Sequence, residues 1–133
     1  MGYYTAYSLE ILNADNFPEK SYLEIEREVA IELARLDYFR DTDERQSEWE
    51  ARIANSDYPI DEILGYDTMK WYDYEDDMVE ISKKFPKYKF RLHGEGEDPD
   101  DFWDDYYYNG KFSHCRGYKT YDPAPDWAFR KEE

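Results

Sequence analysis

The chain has one cysteine, two histidines and 17 basic side chains against 33 acidic ones in 133 residues. Each scarcity removes a class of function. Cys115 alone closes no intramolecular disulfide, which fits a reducing compartment, and in a strand it reads as a small buried hydrophobe. His93 and His114 each lie beside a strand pattern, where a structural role is the commoner one, and two histidines do not define a zinc site. A net charge of −16 excludes a non-specific nucleic-acid binder, because duplex binding rests on Lys and Arg neutralising phosphates. The same charge disfavours anionic membrane surfaces. No apolar run approaches a membrane span, and no basic segment followed by an apolar run opens the chain. The expectation is a cytoplasmic protein with no membrane partner. Nothing resembles a nucleophile elbow, a phosphate-binding loop or a dinucleotide fingerprint. Residues His93-Gly94-Glu95-Gly96-Glu97 contain glycines, but the acids that follow would repel phosphate. The expectation is therefore a non-enzyme without cofactor or bound metal.

What is abundant is rings and carboxylates. Aromatics make up 20% of the chain, with 15 Tyr. The core must be built largely from them, each hydroxyl needing a partner. The carboxylates concentrate in 92–112, LHGEGEDPDDFWDDYYYNGKF. Glu95, Glu97, Asp98, Asp100, Asp101, Asp104 and Asp105 fall in eleven residues without a Lys or Arg. Trp103, Tyr106, Tyr107 and Tyr108 interleave or follow, and Asn109-Gly110 closes the run with a strong hairpin-turn signal.

Length and patterning predict one domain over 1–133. Alternation in 3–12 puts Tyr3, Thr5, Tyr7, Leu9 and Ile11 on the buried face of a strand. Ser21-Tyr22-Leu23-Glu24 has capping-box form and opens a helix to about Tyr38, with Ile25, Val29, Leu33 and Leu36 as its stripe. Residues 39–60 read as a helical insertion, with a helix over 43–55 carrying Trp49 and Ile53. A further turn spans Ile60–Leu64. Thr68–Tyr72 reads as a short strand. A helix capped by Asp73 runs through Lys84, acidic at its start and basic at its end as the helix dipole favours. Tyr88, Phe90 and Leu92 alternate in a third strand. A hairpin follows, 102–108 with 111–121, in which Gly117 marks a bulge. The tail, 122–133, is extended and pinned by Trp127 and Phe129. The order predicts an α+β fold with a ferredoxin-like split βαβ sheet, helices on one face, a Tyr-rich open face and a C-terminal hairpin extension.

The acids admit three readings. Metal binding would use the hard oxygens of Glu95, Glu97, Asp98 and Asp101, either in a small divalent-metal-binding protein or in a metal-dependent enzyme; the calcium-loop pattern is absent. Homo-oligomerisation would use the open sheet face. Mimicry of nucleic acid would use carboxylates spaced like phosphates, about 5–6 Å apart on neighbouring helical turns and roughly 6.5 Å along a strand. Candidate tracks are Glu24–Glu32, Asp73–Glu80 and Glu95–Asp105, with rings beside them as anchors.

Three segments carry a resemblance: MGYYTAYSLEI at 1–11, KWYDYEDDM at 70–78 and SKKFPKYKFRLHGEGEDPDDFWDDYYYNGK at 82–111. They resemble small acidic proteins of phages and prophages with ferredoxin-like domains. The pattern spans both ends but not 39–60, and no catalytic residue carries over with it. The resemblance implies a phage-encoded inhibitor of a bacterial defence nuclease, anti-CRISPR-like, acting in the host cytoplasm. Its partner would be a basic nucleic-acid-binding protein such as a CRISPR effector, with no direct contact to nucleic acid. The expected contact residues are Glu95, Glu97, Asp98, Asp100, Asp101, Trp103, Asp104, Asp105, Tyr106, Tyr107 and Tyr108.

Overall fold

A computed structural model of the chain describes residues 3–65, 68–120, 122–125 and 127. The elements, in order, are β1 (Thr5–Ile11), α1 (Tyr22–Ala34), α2 (Gln46–Ala54), α3 (Pro59–Leu64), α4 (Tyr74–Lys84), β2 (Lys89–Gly96), β3 (Phe102–Tyr108) and β4 (Lys111–Arg116), with a short 3-10 turn at Ala14–Asn16. The four strands form one sheet in the order β1-β2-β3-β4, every ladder antiparallel.

The α+β class and the placement of helices on one sheet face follow the expectation; the ferredoxin-like order does not appear. A split βαβ unit needs a parallel strand pair, and none forms among the described residues. The expected strand at Thr68–Tyr72 reduces to a single bridge between Thr5 and Met69. Trp71 explains this. Its ring is buried, and the Tyr7 hydroxyl donates to its carbonyl at 3.0 Å. The segment thus serves as a core plug at the sheet edge.

Local rules account for most boundaries. Ser21 and Glu24 close both hydrogen bonds of the capping box. Ile25, Val29 and Leu33 are fully buried along α1, which ends at Ala34, short of Tyr38. Residues 39–60 are less of an excursion than expected: Ile53 and Ile60 join the same buried cluster as α1 and the sheet. At the start of α4, Asp73 holds the N-cap position, but its side chain makes no capping bond. Asn109 and Gly110 adopt the positive φ that a two-residue hairpin turn demands. β4 stops at Arg116. Gly117 there donates to the Phe102 carbonyl in place of a bulge. Trp127 is exposed instead of packed into the body, while Phe129 lies outside the described residues.

The core is aromatic where helices meet sheet. Tyr7 sits edge-on to Trp71 and Trp103, and Tyr74 stacks on Trp103 with centroids 4.8 Å apart. Gly94 lies opposite Trp103 in the ladder, and a Cβ there would strike the indole. The close approach of strand and ring therefore requires glycine.

Burial pushes the Tyr7 phenol up to about 12 and raises Tyr74 and Tyr107 as well. Their folded pKa values exceed the unfolded value near 10. The stability they contribute is therefore complete below pH 10 and is lost as pH rises through the folded values. Unfolding followed by circular dichroism is expected to steepen between pH 10 and 12, and Tyr7→Phe to flatten that loss. A stability that stays level across this window would contradict the buried assignment.

Candidate functional site

The strongest convergence of functional groups lies where the 97–101 loop, the first turn of α4 and the end of β4 meet. Tyr3 joins the loop to Tyr72, just ahead of α4. Its backbone N–H donates to the Tyr72 hydroxyl at 3.0 Å, and its own hydroxyl donates to Asp101 Oδ2 at 2.6 Å. The loop is held by backbone donors. Tyr4 N–H donates to Glu97 Oε1 at 3.1 Å, Asp98 N–H to the Tyr3 hydroxyl at 3.2 Å, and Asp100 N–H to Asp98 Oδ1 at 3.1 Å. The carboxylate beside Tyr3 raises its phenol pKa.

This end of the molecule is acidic and ringed by aromatics. Glu97, Asp98, Asp100, Asp73 and Asp76 are exposed, as are Tyr3, Tyr72 and Tyr118. Among the described residues only Lys119 pairs with these acids, reaching Asp100 at 3.5 Å. The α1 track is different. Glu28 pairs with Lys20 at 2.6 Å, and Glu32 with Arg35 and Lys84, both at 2.9 Å. The chain's own cations pair with Glu28 and Glu32 on that helix, whereas at the pole Lys119 pairs with Asp100 alone and Arg116 lines the cavity.

A shallow cavity of about 420 Å³ opens at the pole, lined by Tyr3, Asp98, Asp100, Asp101, Trp103, His114 and Arg116. Beneath it lies Asp105, wholly buried. Its Oδ2 accepts the Tyr107 hydroxyl at 2.9 Å, and its Oδ1 meets His114 Nδ1 at 2.5 Å. Donor atoms of Glu75, Asp105 and His114 lie within 4.8 Å of one another. The acids around Tyr74 and Tyr107 add to burial, the larger effect, in raising both phenols. Asp77, on the same turn of α4, is raised chiefly by burial, although the Trp71 indole N–H bonded to it at 2.7 Å pulls the other way.

The expected contact residues divide three ways. Glu97, Asp98, Asp100 and Asp101 belong to the pole. Trp103, Asp105 and Tyr107 point inward and are buried, so they support the pole from below and offer no surface to a partner. Glu95, Asp104, Tyr106 and Tyr108 lie on the open sheet face, because β2 continues to Gly96 and takes Glu95 into the ladder. That face carries ion pairs beside the exposed Tyr106 and Tyr108. His93 sits between Asp104 at 2.7 Å and Glu95 at 3.3 Å, and Arg91 pairs with Glu10.

Ser8, His93, Asp104 and Cys115 stand in one cross-strand row. The second ring nitrogen of His93 faces Glu95, not Ser8, so no nucleophile-base pair forms. Cys115 is exposed, against the expectation of a buried thiol. His93 and His114 occupy opposite sheet faces. Glu95, Glu97, Asp98 and Asp101 do not share one centre. Sequence reasoning missed Glu75 and the pairing of Asp105 with His114.

No family model, curated protein or solved structure matches the chain. No helix among the described residues is long and apolar enough to cross a membrane.

Tyr107→Phe removes one of the two donors to a buried carboxylate, an unsatisfied acceptor costing about 1–3 kcal/mol. Urea unfolding is expected to show a loss of that size, and a smaller one when Asp105 is already Asn. Equal losses in both backgrounds would mean that the two side chains are uncoupled.

Proposed function

We propose that the protein is a stoichiometric binding module whose acidic pole docks on a Lys/Arg-rich surface of a nucleic-acid-handling protein. The observation that carries this reading is the convergence of two acidic segments distant in sequence, 73–76 and 97–101, around exposed tyrosines. Carboxylates fixed by backbone donors present charge without first ordering a loop, which lowers the cost of association. Tyr3 and Tyr72 supply amphipathic contact area beside that charge. An acidic patch steers a basic partner and occupies the groove that would otherwise hold phosphates. The resemblance to phage and prophage proteins directs the choice of partner to a bacterial defence nuclease, of the RNA-guided or restriction kind, inhibited in the host cytoplasm.

The metal-dependent and homo-oligomeric readings have less support. Glu95, Glu97, Asp98 and Asp101 do not converge on one metal centre, and the open sheet face carries ion pairs beside its exposed Tyr106 and Tyr108.

The test is inhibition of DNA cleavage by a panel of purified RNA-guided and restriction nucleases, with direct binding measured at several salt concentrations. Joint reversal of Asp73, Asp76 and Asp100 to Lys is expected to weaken binding to a sensitive nuclease by about tenfold or more, chiefly in the association rate, and to reduce its salt dependence. Reversal of Glu44 and Glu48, exposed on the far helical segment, serves as the control. Equal loss from both sets would reject the pole as the docking surface, and salt-independent binding would reject the electrostatic mode.

A further inference from the structure

We infer that Glu75, Asp105 and His114 form a binding site for one zinc-class divalent cation. The site lies below the acidic pole and does not depend on the docking reading.

The three side chains come from separate elements: the first turn of α4, the middle of β3 and the edge strand β4. Core packing sets their spacing, not the chance composition of one loop. Their donor atoms all lie within 4.8 Å of one another. A tetrahedral ion with bonds of about 2.0–2.2 Å holds its donors roughly 3.3 Å apart. The set thus needs only small shifts to close on an ion. Asp105 is the fixed member, being wholly buried with Oδ2 held by Tyr107. His114 is half-exposed on an edge strand, and Glu75 is half-buried in a helical first turn; both have room to adjust.

Charge argues the same way. Two carboxylates approach each other here, and one has no access to water. No Lys or Arg pairs with either among the described residues. The only compensating group is His114, whose charge depends on a proton. A buried carboxylate without a permanent counter-charge is costly. A divalent cation in place of the proton between Asp105 Oδ1 and His114 Nδ1 would neutralise both acids at once. The Tyr107 hydroxyl then serves as the outer-shell partner that orients a ligating carboxylate.

The donor set selects the metal class. One imidazole with two carboxylates suits zinc and its first-row neighbours, whereas calcium and magnesium prefer oxygen alone. Three protein donors leave one coordination position towards the cavity that His114 lines. Bound there, the ion would tie β4 to α4 directly under the acidic loop.

The full-length chain, stripped with chelator, is titrated calorimetrically with Zn2+ alone and, in parallel, with Co2+ alone to record its visible absorption. The expected result is one equivalent bound, a tetrahedral Co2+ spectrum and a raised unfolding temperature. His114→Ala and Glu75→Gln are each expected to weaken the site by about tenfold or more. His93→Ala and Asp100→Asn are expected to leave it intact. Asp105 is left unchanged, because its replacement perturbs the core. Absence of a one-equivalent site overturns the inference. So does binding that survives both ligand substitutions, or binding that Asp100→Asn abolishes, which would locate the cation in the loop.

Discussion

The alternation of β3 governs much of this structure. A strand turns successive side chains to opposite faces, so Trp103, Asp105 and Tyr107 enter the core together, and Asp104, Tyr106 and Tyr108 leave it together. The consequence is a carboxylate sealed inside an aromatic layer. Asp105 is tolerated there because two donors from different strands meet it, Tyr107 from its own and His114 from β4. The inward Trp103 stacks on Tyr74, and this brings the start of α4 beside β3. Packing around one strand thus also carries the acids of α4 towards those of the 97–101 loop.

The distribution of cations does the rest. With 33 acids and 17 basic side chains, self-repulsion is unavoidable, and where the cations sit decides where negative potential remains. Those near α1 sit against Glu28, Glu32 and Glu50. On the open face Arg91 pairs with Glu10, and the His93 ring lies between Glu95 and Asp104. Among the described residues, the pole has Lys119 as its one ion-pair partner. Part of the excess negative charge therefore stands at the pole with little compensation, as a local field on that side of the molecule. Local fields of that kind steer partners; a uniform excess only keeps a protein apart from its copies.

Much of the fold was legible in the residues. The capping box at Ser21, the α1 stripe, the alternation of β1 and the Asn109-Gly110 turn each depend on neighbours in sequence, and each formed. What failed depended on distant partners. Thr68–Tyr72 has strand composition, but the burial of Trp71 against Tyr7 outweighs pairing. By composition Trp103 and Tyr107 belong with the surface anchors of the 92–112 run, but the pleat turns both inward. The missing signal lay within that stretch. A two-residue turn at Asn109-Gly110 puts Tyr108 opposite Lys111, and counting back along both arms puts Asp105 opposite His114. No count along the chain could supply Glu75, because its approach depends on how α4 packs on the sheet.

A loop with four acids in five residues would ordinarily be a flexible, solvated run. Here, Glu97 accepts from the backbone of Tyr4, Asp98 from that of Asp100, and Asp101 from the hydroxyl of Tyr3, itself bonded to Tyr72. Each bond fixes a carboxylate that water alone would leave free to turn. Like charges held close together repel, and the fold maintains them against that repulsion with donors that do not cancel the charge. A fold that needed these acids only for solubility would gain nothing by fixing their positions, since hydration is indifferent to them. Fixed positions matter when the opposing surface has fixed positions as well, whether a row of Lys and Arg on a partner or a cation seated among donors.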